Sequence, residues 1–205
     1  MRTVMSSRLY LAVKKLLTEG CSELPIAAKA ELSTFESCYE DGERLCCQSP
    51  EEVALWAVLS GVMSDYEASR YLNWKAFEAF VARALEEAGF ETLRNVRVGT
   101  EYRRVEFDVI GYDGERVLVV ECKRWKAFRR SVMLKVAEEH AWKVKVASYW
   151  LSRLGRVALP VVVTLKGRAV TEGALIVPIK SFKGFLRELD VAFVEGPAIK
   201  LSSSR

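Results

Sequence analysis

The sequence predicts an α/β fold, a mixed β-sheet flanked by helices, with a helical N-terminal extension in front of it. Three observations carry this. The apolar period changes from helical to alternating after Gly89. Asp113-Gly114 separates two alternating runs, a dipeptide that suits the left-handed backbone of a tight hairpin turn. Helical spacing returns over residues 131–154, and two short apolar runs come after it at 157–165 and 174–179. The chain has 205 residues, 50% hydrophobic and 28% charged, which is enough to bury a core and too apolar for disorder.

Each element has a local reason. An amphipathic helix is expected over 9–17, ended by Gly20, and then a less regular cysteine-bearing region through Cys47. Ser49-Pro50-Glu51-Glu52 combines an N-cap serine, a proline at the first helical position and a capping-box glutamate, so a helix runs to about Ser60. Ser64-Asp65-Tyr66-Glu67 repeats the capping pattern, and Asn73 can cap a helix over 74–88 that Gly89 closes. Strands are expected over 90–98, 103–112 and 116–123. Met133, Val136, Ala137, Val144, Ala147, Leu151 and Leu154 then form one face of a long helix, which Gly155 ends. Buried strands at 157–165 and 174–179 and a helix over 182–189 complete the series. The expected division is a helical segment over 1–72 and a sheet-bearing domain over 73–205.

The longest apolar run, 157–165, is nine residues and contains Pro160, far short of the roughly 20 residues needed to cross a bilayer. Lys14 and Lys15 interrupt the apolar stretch near the N-terminus, so neither a membrane span nor a signal peptide is expected, and a cytoplasmic protein is the working assumption. Five cysteines are an odd number without a C-x-x-C pair, which fits buried thiols or a single disulfide better than zinc. Two Asn and one Gln are few heat-labile amides, a bias associated with hyperthermophiles. Residues 1–73 carry seven Lys and Arg against eleven Asp and Glu, whereas 74–205 carry 24 against 16. The second part therefore suits a polyanion, although an excess of this size also serves solubility alone.

A two-residue loop at Asp113-Gly114 would pair Tyr112 with Glu115, set Asp108 opposite Val119 and Glu106 opposite Glu121, and leave Asp108, Glu121 and Lys123 on one side of the sheet. Asp108 and Glu121 would be diagonal neighbours, roughly 7 to 8 Å apart at the backbone. Carboxylates converging beside the apolar run Val117-Leu118-Val119-Val120 repel one another, and a divalent cation would relieve this. Oxygen ligands favour Mg²⁺ or Mn²⁺. The same residues also fit a plain cross-strand salt bridge.

Phe107-Asp108, a hairpin, then Glu121-Cys122-Lys123 resembles the signature of the PD-(D/E)xK nucleases, the restriction endonuclease-like superfamily. The segment Trp74-Lys75-Ala76-Phe77-Glu78-Ala79-Phe80, ending in Ala88-Gly89-Phe90, is similar to the opening helix of Mrr-type restriction enzymes and archaeal Holliday junction resolvases. The proline usual before the aspartate is replaced by Phe107, and the glutamine that some Mrr-type members carry near the lysine has no counterpart. The resemblance implies that Glu78, Asp108 and Glu121 bind the metal and that Lys123 orients the nucleophilic water. It also implies a metal-dependent DNA endonuclease working as a homodimer, since cutting two strands usually takes two active sites. On the residues alone Glu78, at the edge of its helix stripe, fits a solvated position as well.

Lys123-Arg124-Trp125-Lys126-Ala127-Phe128-Arg129-Arg130 places five cations and two aromatics directly after the proposed ligand. Arg124, Lys126, Arg129 and Arg130 suit phosphates and Trp125 suits an unpaired base, although a solvated loop has the same composition. Arg94, Arg97, Arg103 and Arg104 extend the basic series. His140 reads as a partly buried structural histidine, and Trp142 and Trp150 are expected to pack. Three function classes stay open: a DNA endonuclease or branched-DNA resolvase, a nucleic-acid-binding module without catalysis, and a protein-interaction domain.

Overall fold

The computed structural model describes residues 5–68, 70–71, 73–123, 129–165 and 168–202. The chain divides into two compact units, Met1–Phe77 and Glu78–Arg205. Among the described residues no helix is long and apolar enough to cross a membrane.

The first unit begins with α1 (Met5–Glu19), which buries Val13, Leu16 and Leu17, the apolar stripe read from the sequence. The cysteine-bearing segment after it is more ordered than expected. β1 (Cys21–Glu23), β2 (Cys38–Asp41) and β3 (Arg44–Cys47) form an antiparallel sheet in the order β1-β3-β2, with α2 (Ile26–Leu32) between the first two. Strands of three and four residues are too short to show an alternating period, so the expectation of a helical segment missed them. Pairing sets Cys21 opposite Cys46 and Cys38 opposite Cys47, and both pairs are disulfides. The expectation of at most one disulfide is corrected: adjacent cysteines on a central strand point to opposite faces, so each can reach a different edge strand.

α3 (Pro50–Leu59) starts at the expected proline, but Ser49 makes no cap, and Glu52 accepts a hydrogen bond from Ser37 instead of closing a box. The box does close at the next site. Glu67 N–H donates to Ser64 Oγ at 3.3 Å and Ser64 N–H to Glu67 Oε2 at 3.4 Å, at the start of α4 (Asp65–Ala68). Asn73 Oδ1 accepts from Ala76 N–H at 2.9 Å and caps α5 (Trp74–Glu87).

The second unit contains a seven-stranded sheet among the described residues. β4 (Glu91–Gly99), β5 (Arg104–Tyr112), β6 (Arg116–Lys123), β7 (Val157–Thr164), β9 (Leu175–Pro178) and β8 (Ala169–Val170) lie side by side in that order, and β10 (Ile199–Lys200) pairs with β7. β4 to β6 form an antiparallel meander, and β6, β7 and β9 run parallel. The crossover from β6 to β7 is α6 (Arg130–Val146) with the single turn α7 (Ser148–Leu151), so the helix expected over 131–154 is interrupted at Ala147. α8 (Ile179–Leu186) and α9 (Leu189–Glu195) come after β9. A Cβ on Gly155 would meet Val117 Cγ2 at 2.8 Å and the Glu115 carbonyl at 2.9 Å, so only glycine lets the chain enter β7 there.

The hairpin differs from expectation by two residues. Tyr112 faces Val117 and Ile110 faces Val119, which leaves residues 113–116 as the loop. The Asp113 side chain causes this: its Oδ1 accepts from the N–H groups of Glu115 and Arg116 at 3.1 and 2.7 Å, and Arg116 Nε donates to Oδ2 at 2.8 Å. Gly114 supplies the positive φ of 91°. Glu106 therefore pairs with Arg97 on β4, not with Glu121. Burial raises the Asp113 pKa, but its bonds from Arg116 and Glu115 outweigh this and leave it lowered. Its contribution is thus fully present at neutral pH and lost as pH falls through the lowered folded value. Asp113→Ala should destabilise the protein by about 1 kcal/mol at pH 7, and by less in acid, in denaturant titrations at both pH values.

Side chains along β5 alternate until Asp108 and then change phase. Val105 and Phe107 share a core with Ile110 and Tyr112, and on β4 Leu93 shares it with Val96 and Val98. Both strands therefore slip phase at the same level, at Asp108 and at Asn95, whose φ is 54°. Bulge-like irregularities of this kind re-aim a side chain. The simple alternation expected for Asp108 does not hold.

Candidate active site

Val117 and Val119 of β6 pack against Val144, Ala147 and Leu151. Two residues further along the same face comes Glu121, only 6% exposed. A carboxylate carried into that position by the strand period needs partners, and β6 itself and α6 supply them. Lys123 Nζ donates to Glu121 Oε1 at 2.6 Å, and Lys143 Nζ donates to Oε2 at 3.1 Å. His140 Nδ1 lies 3.5 Å from Oε2, while His140 Nε2 donates to the Val119 carbonyl at 2.8 Å. Burial alone would raise the Glu121 pKa, but the His140 imidazole and the Lys123 ammonium outweigh it and hold the carboxyl far below the usual carboxylate range. Glu121, Lys123, Glu139, His140 and Lys143, with Val136, line a cleft of about 110 Å³.

Asp108 stands where β5 stops pairing with β6. Its Oδ2 accepts the Cys122 N–H at 2.7 Å, taking the place of a backbone acceptor in the ladder. Burial first, and the negative charge of Glu121 second, push its pKa up. Glu78 on α5 is 2% exposed, so the solvated reading is excluded. The buried Cys122 thiol is raised by burial and then by the charges of Asp108, Glu78 and Glu121.

Among the described residues no three His, Cys, Asp or Glu side chains already stand at metal-binding spacing. Both oxygens of Glu121 are engaged by ammonium groups. The donor set nevertheless suits a hard divalent cation, because Asp108, raised first by burial and second by the charge of Glu121, and Glu121 itself are oxygen ligands whose mutual repulsion a cation would relieve.

The other sequence-based candidates fall unevenly. Arg124, Trp125 and Lys126 lie outside the described residues. Arg129 and Arg130 are exposed at the start of α6. Arg97 is paired with Glu106 at 3.2 Å. Arg103 lies 3.5 Å from Glu139 and its guanidinium sits 4.6 Å over the Trp142 ring. Trp150 packs on the core as expected, but Trp142 is 36% exposed. Sequence reasoning missed Lys143 and the role of His140. Their three-residue spacing, which puts two basic groups on one helix face, was the available signal. His140→Leu removes the donor to Val119 and a partner of Glu121, and should cost roughly 1–3 kcal/mol by thermal melting.

Residues 71–169 match the family model of the archaeal Holliday junction resolvase (Hjc). This segment resembles the PD-(D/E)xK nuclease superfamily. The matched span contains Glu78, Asp108, Glu121 and Lys123, and the sheet and flanking helices have the restriction endonuclease-like arrangement of that superfamily. No curated protein matches the chain. Solved structures resembling it include a protein of unknown function, AF1548, at 24% identity over 55% of this chain and 54% of that one, with a TM-score of 0.38. Protein VC1899 from Vibrio cholerae is 14% identical over 92% of this chain and 50% of that one, with a TM-score of 0.42. The small subunit (R.BspD6I2) of the heterodimeric restriction endonuclease R.BspD6I is 11% identical over 68% and 78%, with a TM-score of 0.40. The chain spans about half the length of the first two of these.

Proposed function

We propose that the protein is a Mg²⁺- or Mn²⁺-dependent endonuclease that hydrolyses phosphodiester bonds in DNA, and that branched DNA is its substrate. The observation that carries this reading is the pair of carboxylates at the end of β6, Asp108 held by the Cys122 N–H at 2.7 Å and the buried Glu121 held by Lys123 at 2.6 Å. The match of residues 71–169 to junction resolvases favours branched DNA over a linear site.

Glu78, Asp108 and Glu121 would hold the ion. When bound, the metal polarises the phosphate and lowers the pKa of the attacking water. Lys123 orients that water and offsets charge developing on the phosphate. His140 and Lys143 are positioning residues carried on α6: His140, pinned to the Val119 carbonyl, keeps the Glu121 carboxylate ionised, and Lys143 fixes it by donating to Oε2. The Cys122 N–H fixes Asp108 in the same way. Cutting opposed strands of a junction takes two such sites, so the working form is a homodimer, and a DNA substrate implies a cytoplasmic protein.

The test is cleavage of a synthetic four-way junction and of linear duplex with Mg²⁺ or with chelator. Symmetric nicking of the junction with Mg²⁺, abolished by chelator and reduced at least about 100-fold in Lys123→Ala, is expected. Binding without any metal-dependent cleavage would instead favour a non-catalytic nucleic-acid-binding module.

A further inference from the structure

Among the described residues of the second unit, the exposed aromatic rings are Tyr102, Trp142 and Tyr149, and they gather in one place. Tyr102, 73% exposed, and Tyr149 line a groove of about 600 Å³. Trp142 stands beside Tyr102 with ring centroids 6.2 Å apart, and Arg103 caps its face at 4.6 Å. Lys145 lines the same groove, and the Arg153 guanidinium lies 5.6 Å over the Tyr149 ring. Two acids are present as well: Glu101 lines the groove and Glu139 pairs with Arg103. Single exposed rings need no explanation, but rings gathered with cations are the composition of grooves that hold single-stranded nucleic acid. The location points the same way. Glu139 also lines the cleft of Glu121 and Lys123, so the ion pair of Glu139 with Arg103 links that cleft to the Trp142 ring.

We propose that this groove binds the bases of an unpaired DNA strand, stacking them on Tyr102 and Tyr149, while Lys145 and Arg153 meet its phosphates. Arg103 holds Trp142 upright against Tyr102 as the wall nearest the cleft. The identity of the polymer rests on the nuclease reading of that cleft. A strand unpaired at a branch point would leave the duplex at the cleft and lie in the groove.

The test uses the full chain in chelator, with a fluorescein-labelled oligothymidylate and a labelled duplex of equal length. Tyr102→Ala and Tyr149→Ala should each weaken oligothymidylate binding about 5- to 140-fold, the range expected for one stacked base, and leave duplex binding unchanged. Tyr102→Phe should retain the wild-type affinity, since it keeps the ring. Unaltered oligothymidylate affinity in both alanine variants would overturn the proposal, and so would equal losses on both probes with unchanged melting temperatures. Failure of oligothymidylate to bind the wild type, with apolar peptides bound at the rings instead, would also overturn it. The two readings fail separately. A chain that never cleaves yet shows the Tyr102 effect retains the groove and loses the nuclease, whereas one that cleaves with Mg²⁺ but shows no Tyr102 effect does the reverse.

Discussion

Asp108→Ala should abolish junction cleavage while leaving DNA binding in place. Stabilisation of a phosphoryl transition state by a metal is worth several kcal/mol, and each 1.36 kcal/mol is tenfold in rate, so a loss of about 10³-fold or more is expected in single-turnover cleavage. Binding should be equal or tighter, because the change removes one negative charge from a surface that must meet phosphates. The variant also leaves the Cys122 N–H without its acceptor. Asp108→Asn separates the two effects, since its amide oxygen can keep that bond while the charge is gone. If Asp108→Asn melts like wild type and is inactive, the carboxylate acts in chemistry. If both variants cleave at the wild-type rate, Asp108 is not a ligand and the proposed mechanism is wrong.

Reduction of the two disulfides should destabilise the first unit strongly and leave the second unit's melting unchanged. Cys21–Cys46 closes a separation of 25 residues and Cys38–Cys47 one of 9. Chain-entropy loss in the unfolded state then corresponds to about 3.5 and 2.6 kcal/mol respectively. Three short strands bury too little apolar surface to offset such a loss. Melting with and without a reducing thiol, together with hydrogen exchange in residues 5–68, measures it. The double serine variant at positions 21 and 46 should lose more than that at 38 and 47, and the opposite order would show that loop closure is not what stabilises this sheet.

Much of the fold was legible because its signals are local. Asn73, the Ser64 to Glu67 box and Pro50 mark helix starts within a few residues, period-two runs mark β5 and β6, and a continuous apolar run marks β7. The features that were not legible depended on contacts far apart in sequence or on side chains competing with the backbone. The loop at Asp113 is four residues and not two because one carboxylate binds two N–H groups, a choice that the dipeptide Asp-Gly does not reveal. Shifting the pairing by two preserves parity, which is why Glu121 still faces α6. The phase slip at Asn95 and Asp108 left only one trace in the sequence, an asparagine able to take positive φ. The roles of His140 and Lys143 required knowing that α6 crosses the end of β6, 22 residues along the chain from Glu121 in the case of Lys143. Trp142 reads as core on a helical wheel, and only the packed structure turns it outward.

The neighbouring thiols Cys46 and Cys47 do more than fasten a sheet. Each is committed to a different flanking strand, so sliding either flank by a single position would swing its sulfur to the wrong side and strand two unreacted groups. Oxidation in this segment therefore selects one alignment from several near-equivalent ones, and an oxidised chain carries a record of having zipped correctly.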